Sequence, residues 1–316
     1  MEGGGLLLHG HGYVYLIHCL DEELELAQLE AWAFTGGAPA GRLVHSPATV
    51  SVNHAAYLRY CVDIEARGCG LEELVNDCRA SGMAYEDFRI EVLQLPPRQE
   101  ISGSQVTLAV ANAVTGRPRL AEPQVTLAVV IADAGWYCGR LLSVGRNRWR
   151  RGMHRPHHFS SALPQRMSRA LANIAASPGE TLLDPCCGIG TVLMEALDAG
   201  IVAYGVDQNG PMLKLVAENL GYLGLPRRLV RADARQLTGH FDGAVLDLPY
   251  GRNLVGNSRL WRELIAPLRH LATRSVIVAP QPLDGLLEDS GLRLVKSARV
   301  PKGALVRHIH LVVPRA

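Results

Sequence analysis

Thr181-Leu-Leu-Asp-Pro-Cys-Cys-Gly-Ile-Gly-Thr191 is the stretch that decides how this chain is read. A short apolar run ends in the carboxylate of Asp184. A turn carrying Gly188 and Gly190 follows, and Thr191 opens a helical pattern. Strand, glycine turn and helix in that order make the first unit of a doubly wound sheet, whose ligands sit at the carboxyl ends of its strands. Working outward, the spacing predicts further strands at 201–206, 228–231, 242–247 and 274–279. Helices are predicted at 191–199, 211–223 and 258–272. This alternation implies a parallel sheet. The tail departs from it. Leu292 to Val300, Pro301-Lys302-Gly303 and Leu305 to Val313 read as a hairpin that adds an antiparallel strand, for seven in all.

Acids recur at the predicted strand ends. Asp207 closes the second strand, where a carboxylate can accept both hydroxyls of a ribose. Asp233, after the third, is placed to accept from an adenine amine. With Asp184, Cys186, Gly188, Gly190 and Thr191, and with Gln208 and Ala234 beside the two later acids, they form a candidate site for a nucleoside cofactor. A dinucleotide oxidoreductase is the rival reading. The turn here is GxGT, without the third packing glycine of GxGxxG.

The fourth strand, Gly243-Ala-Val-Leu246, runs into Asp247-Leu-Pro-Tyr-Gly251. An exocyclic amine is a poor nucleophile because its lone pair is delocalised into the ring. Acceptors aimed at its protons turn that lone pair outward. Asp247 offers a side-chain oxygen and Leu248 a backbone carbonyl, Pro249 stiffens the turn, and Tyr250 offers a ring on which a base can stack. A base in a helix must first swing out to reach such a pocket. Together the two sites suggest methyl transfer from S-adenosylmethionine to an exocyclic nitrogen.

Asp247-Leu-Pro-Tyr250 resembles the (Asp/Asn)-Pro-Pro-(Tyr/Phe) motif of amino-methyltransferases, which act on adenine N6, guanine N2 or cytosine N4. Leu248 stands where the first proline is usual. Arg155-Pro-His-His-Phe-Ser-Ser-Ala-Leu-Pro164, with the 183–191 loop, resembles the THUMP-containing tRNA guanosine-N2 methyltransferases. Tyr13-Val-Tyr-Leu-Ile17 with Glu23-Leu-Glu-Leu-Ala27 looks like the start of that family's ferredoxin-like domain, and Gln124–Val130 through Tyr137-Cys-Gly139 looks like the end of its THUMP domain. The resemblance implies a Rossmann-like methyltransferase sheet behind an α+β RNA-binding module. It implies a tRNA substrate methylated on guanine N2. The alternatives are adenine N6 methylation of DNA or RNA, and a non-catalytic RNA-binding protein with a vestigial domain.

Composition agrees with a globular protein: 316 residues, 48% hydrophobic and 20% charged, with a net charge of +2. Charge placement says more than the total. From Arg140 to Gly179 there are eight arginines and no acid, a local basic footprint of the kind that meets nucleic acid. Arg146, Arg148, Arg150, Arg151 and Arg155 are the candidate RNA contacts. Trp149 is expected to pack. Seven cysteines without a CxxC pair argue against zinc or a disulfide framework, and Cys186 and Cys187 are expected to pack behind the cofactor loop. His154, His157 and His158 lack metal-ligand spacing, so no metal is expected. Residues 3–9 lack a signal peptide's basic start, and no apolar run reaches membrane-spanning length. The expected location is cytoplasmic.

The expected division is a ferredoxin-like domain at 1–95, an abbreviated THUMP-like region at 96–145, a basic linker at 146–162 and the methyltransferase domain at 163–316. In the first part, Tyr13–Leu20 reads as a strand. Asp21 caps a helix facing inward through Leu24, Ala27, Ala31 and Phe34. Leu43–Val52 and Phe88–Leu95 read as strands, Leu71–Ala80 and Val106–Val114 as helices, and His54–Tyr60 as helical. Gly116-Arg117-Pro118 reads as a turn, and Gln124–Ala132 with Gly135–Leu142 as a hairpin. Leu163, Met167, Ala170, Leu171 and Ile174 mark one face of a helix that Pro164 begins.

Overall fold

A computed structural model describes residues 12–96, 100–249, 258–303 and 305–315. Tyr250 and the 3–9 stretch lie outside the described residues. The chain forms two units. Of the described residues, one holds those up to His18, Thr35–Asn53 and Leu58–Arg146; the other holds Cys19–Phe34, His54–Tyr57 and those from Asn147 onward.

The first unit is built on β1 (Tyr13–Ile17), β2 (Pro39–Ala40), β3 (Leu43–Ser46), β4 (Leu58–Gly68), β5 (Ala84–Gln94), β6 (Thr115–Pro118), β7 (Val125–Ala132) and β8 (Gly135–Val144). They form one sheet in the order β2-β3-β1-β4-β8-β7-β5-β6. Between chain positions 17 and 58 lies α1 (Leu24–Thr35), whose residues up to Phe34 group with the second unit. α2 (Leu71–Ala80) and α3 (Gly103–Ala111) cover the sheet, and Leu74, Cys78, Val106 and Val110 share a core with Phe88, Leu127 and Val129. Residues 95 and 96 fall within this unit, so the expected boundary there does not coincide with a structural one.

Two readings are corrected. His54–Tyr60 is not helical, and Leu58 begins β4, a strand paired on both sides with β1 and β8. Its register shifts between Cys61 and Val62 and again between Ile64 and Ala66. Each bulge breaks the period-two alternation that identifies a strand. Gly116-Arg117-Pro118 is the body of β6, an exposed edge strand parallel to β5. A proline is tolerated at such an edge because no further strand needs its N–H.

The second unit carries α4 (Gln165–Ala175), β9 (Thr181–Asp184), α5 (Thr191–Asp198), β10 (Val202–Asp207), α6 (Gly210–Leu223), β11 (Leu229–Arg231), β12 (Phe241–Asp247), α7 (Ser258–Ile265), α8 (Leu268–Leu271), β13 (Ala272–Ala279), α9 (Asp284–Asp289), β14 (Leu292–Lys302) and β15 (Leu305–Pro314). The seven strands lie in the order β11-β10-β9-β12-β13-β15-β14. β11 to β13 are parallel, and β15 is antiparallel to both its neighbours. This is the expected Rossmann-like sheet with its terminal hairpin. The order reverses at β9, so a crevice opens between the ends of β9 and β12. The single helix expected at 258–272 is α7 and α8, separated at Ala266-Pro267. Pro267 lacks the N–H that would continue the helical ladder.

α1 is bound into this unit through a buried carboxylate. Glu30 is fully buried, and accepts from the Ala56 and Tyr57 amides at 2.8 and 2.7 Å and from Asn173 Nδ2 at 2.8 Å. Burial pushes its carboxyl up, and these three donors oppose the shift. The α1 face is broader than expected: Leu26, Leu29 and Glu30 are buried together with Ala27 and Ala31. The expected domain start at 163 leaves this helix out.

Candidate active site

The carboxyl ends of β9, β10 and β12 and the loop after β11 surround a cavity of about 940 Å³. Asp184, Cys186, Gly188, Thr191, Asp207, Gln208, Asp233, Ala234, Asp247, Leu248 and Pro249 all line it. Two motifs 63 positions apart in the chain therefore face one space.

The glycine turn is held from below. Gly188 (φ +51°) and Gly190 (φ +77°) are left-handed, a conformation that favours glycine. Gly188 N–H donates to Asp207 Oδ2 at 2.9 Å, and Asn209 N–H to Asp207 Oδ1 at 2.8 Å. A carboxylate has about four lone-pair sites, so Asp207 can still accept from a bound diol. Gly190 does not line the cavity. It caps α5, and a Cβ there would stand 2.6 Å from the buried Val216.

Four carboxylates, Asp184, Asp207, Asp233 and Asp247, line the crevice. Burial pushes Asp184 well above the usual carboxylate range, helped by Asp247 and Asp207, while the Cys186 and Leu193 amides act the other way. Asp233 differs: hydrogen bonds from the Arg235 side chain and amide hold it down to about 2. Arg235 forks onto it at 2.6 Å and reaches Glu263 at 2.9 Å. Both thiols are displaced from reactivity. Burial pushes Cys186 up to about 12 and Cys187 higher still.

The corner after β12 is anchored by its main chain. Leu248 N–H donates to Val278 O at 3.0 Å, a bond a proline cannot make. The Leu248 side chain is 1% exposed and packs with Leu246, Trp261 and Ile277. Trp261 Nε1 donates to Pro249 O at 3.0 Å. Leucine in place of the usual proline thus gives this corner a core anchor and a further ladder bond.

The basic segment turns inward only at Arg155 and Arg169. Arg155 is 4% exposed and donates to Gly152 O, His157 O and Thr191 Oγ1, which corrects its expected place as an RNA contact. Arg148 and Arg151 pair with Asp198 at 3.5 and 2.8 Å but keep exposed faces. Arg169 is buried between Glu195 and Asp198. Arg146 and Arg150 are exposed. Trp149 lies under the guanidinium groups of Arg150 and Arg166. His157 meets Glu218 at 2.6 Å. Sequence reasoning missed the cavity's other wall: Phe159, Ser160 and Ser161 before α4, and Lys302, Leu305 and Arg307 from the terminal hairpin. The hairpin was legible, but which of its residues face the crevice depends on its register.

Residues 151–305 match the family model described as RMKL-like, methyltransferase domain. Similar proteins extend the comparison. A tRNA (guanine(10)-N2)-dimethyltransferase of Pyrococcus abyssi is 30% identical over 54% of this chain and 55% of its own length. The chain thus spans about half of that protein in the match. The protein of the same name from Methanocaldococcus jannaschii is 25% identical over 90% of each chain. Among solved structures, TrmN from Thermus thermophilus is similar over 96% of this chain and 100% of its own, with a TM-score of 0.48 and 21% identity.

Proposed function

We propose that this protein transfers a methyl group from S-adenosylmethionine to N2 of a guanine in tRNA. The observation that carries the reading is that the Asp247–Pro249 corner and the carboxylates around the glycine turn line one cavity at the switch point of a methyltransferase sheet. The relatives named for tRNA guanine-N2 dimethylation support the choice of base and of substrate.

The cavity suits the donor. Gly188, with open space where a Cβ would stand, allows close approach, Asp207 accepts ribose hydroxyls, and Asp233 with Ala234 meets the adenine edge. Arg235 already occupies much of Asp233, so the adenine amine shares that carboxylate. Thr191, Gln208 and Cys186 complete the walls. When bound, the donor supplies an electrophilic methyl group. The protein's task is to present the amine. Asp247 accepts one amine proton and the Leu248 carbonyl the other, which turns the nitrogen lone pair toward the methyl. Tyr250 stacks on the base. The proton released on transfer passes to Asp247 or to water. No enzyme nucleophile is required, in keeping with two thiols that stay protonated at neutral pH.

Arg146, Arg148, Arg150 and Arg151 are proposed to meet the RNA backbone, each contact adding salt dependence. The eight-stranded unit is proposed as the THUMP-like module that holds tRNA. No helix of the described residues is long and apolar enough to cross a membrane, and a tRNA-modifying enzyme is expected in the cytoplasm. The test is incubation of unmodified tRNA with labelled S-adenosylmethionine, nuclease digestion and identification of the nucleoside. N2-methylguanosine is expected. Label in N6-methyladenosine would replace the reading with the adenine one, and absence of label together with absence of donor binding would leave a vestigial domain.

A further inference from the structure

Resting on the base-site reading above, we infer that Trp261 is a positioning residue, whose indole N–H fixes the direction in which the 247–249 corner presents its acceptors. Trp261 lies on α7, outside the motif, and is 3% exposed. Its Nε1 donates to Pro249 O at 3.0 Å across a separation of 12 residues. It does not itself line the cavity, so it acts through the corner.

Among the described residues, further restraints on the corner lie in its main chain. Pro249 has no N–H, and its ring fixes only its own φ. Leu248, as the residue before a proline, is restricted to extended conformations. Its amide is tied to Val278 O on the sheet side. Rotation about the Pro249 carbonyl is opposed by the indole, which donates to it. Leu248 O is then held between a ladder bond on one side and the proline–indole contact on the other. Asp247, the last residue of β12, is held by its pairing with Val278. Side-chain packing adds to the hold, because Leu248 and Trp261 share one core cluster.

A bland account is available: a buried indole needs an acceptor, and Pro249 O merely satisfies it. The two accounts differ in what Trp261→Phe does. Phenylalanine keeps the ring and loses the donor. If Trp261 positions the corner, W261F lowers kcat about tenfold, as expected for one lost hydrogen bond. Its KM for the donor stays within about twofold, and calorimetric donor binding is unchanged. Hydrogen exchange of the 244–249 peptide, which contains the Leu248 amide, becomes faster, while peptides at 183–188 and 205–207 exchange as before. Ile265→Ala is the packing control, since Ile265 is fully buried on the same helix and outside the cavity. It lowers the melting temperature and leaves kcat within about twofold.

The inference is overturned if W261F keeps wild-type kcat and wild-type exchange at 244–249. It is equally overturned if W261F and I265A lose kcat in proportion to their loss of stability. Should the wild-type protein methylate another base or none, the functional reading fails. The exchange measurement still decides the role of Trp261.

Discussion

Two loops leave the carboxyl ends of neighbouring strands in one sheet, and they are held by different side chains. The 184–191 loop is tied by Cys187 N–H to Val206 O at 2.9 Å, and a carboxylate from the neighbouring strand is added: Asp207 receives the Gly188 amide, and left-handed glycines make the turn. The 247–249 corner is fixed by main-chain and indole donors, with a leucine sunk in the core. The first loop is shaped to let a ligand approach its backbone. The second is braced so that its acceptors do not move. A cofactor that stays the same from turnover to turnover needs a close-fitting cradle. An amine that must be turned toward an electrophile needs rigid acceptors.

The largest break of this contrast is Gly190→Val. A side chain at φ +77° beside Val216 combines left-handed strain with overpacking, together about 2–4 kcal/mol. The cradle is expected to distort, with calorimetric binding of S-adenosylmethionine lost. Binding at wild-type strength would show that the turn tolerates other geometries. Leu248→Pro is the next test, because it installs the usual motif residue. Here it removes the bond to Val278 O and a buried leucine, and about 2–4 kcal/mol of stability is expected to go with them. Thermal melting checks this, and an unchanged or raised melting temperature would show that the ladder bond and core contact contribute nothing. The smallest effect is expected at Asp233. Its folded carboxyl is held near 2 against an ordinary 3.8, so its contribution to stability is present above 3.8 and is lost as pH falls toward 2. Asp233→Asn should flatten the acid side of the stability profile relative to wild type. Parallel profiles between pH 2 and 4 would contradict the Arg235 pairing.

The cradle was legible in the sequence because its restraints are local or carried by strand-end acids at regular spacing. Asp184, Gly188, Asp207 and Asp233 need only the strand–helix alternation to be brought together. Trp261 was not legible, since an aromatic on an amphipathic helix reads as core, and its second role depends on the angle at which α7 returns over the corner. The arginine run misled at Arg155, and its charges are partly compensated, for a related reason. Its like charges are separated from acids in sequence, but folding brings Asp198 and Glu195 to Arg148, Arg151 and Arg169. β4 was obscured by its bulges, and α1 was read correctly as a helix, but its buried Glu30 gave no sign of which unit it joins.

The most direct test of the account separates donor binding from transfer in Asp247→Ala. The carboxylate lies at the end of β12, and the cradle does not depend on it for its hydrogen bonds to Asp207. Calorimetry of S-adenosylmethionine binding and methyl transfer to tRNA should be measured on the same preparation. The account predicts donor affinity within about threefold of wild type and transfer reduced by about a hundredfold or more, as when an oriented polar group is removed from a reacting centre. Undiminished transfer by Asp247→Ala would contradict it.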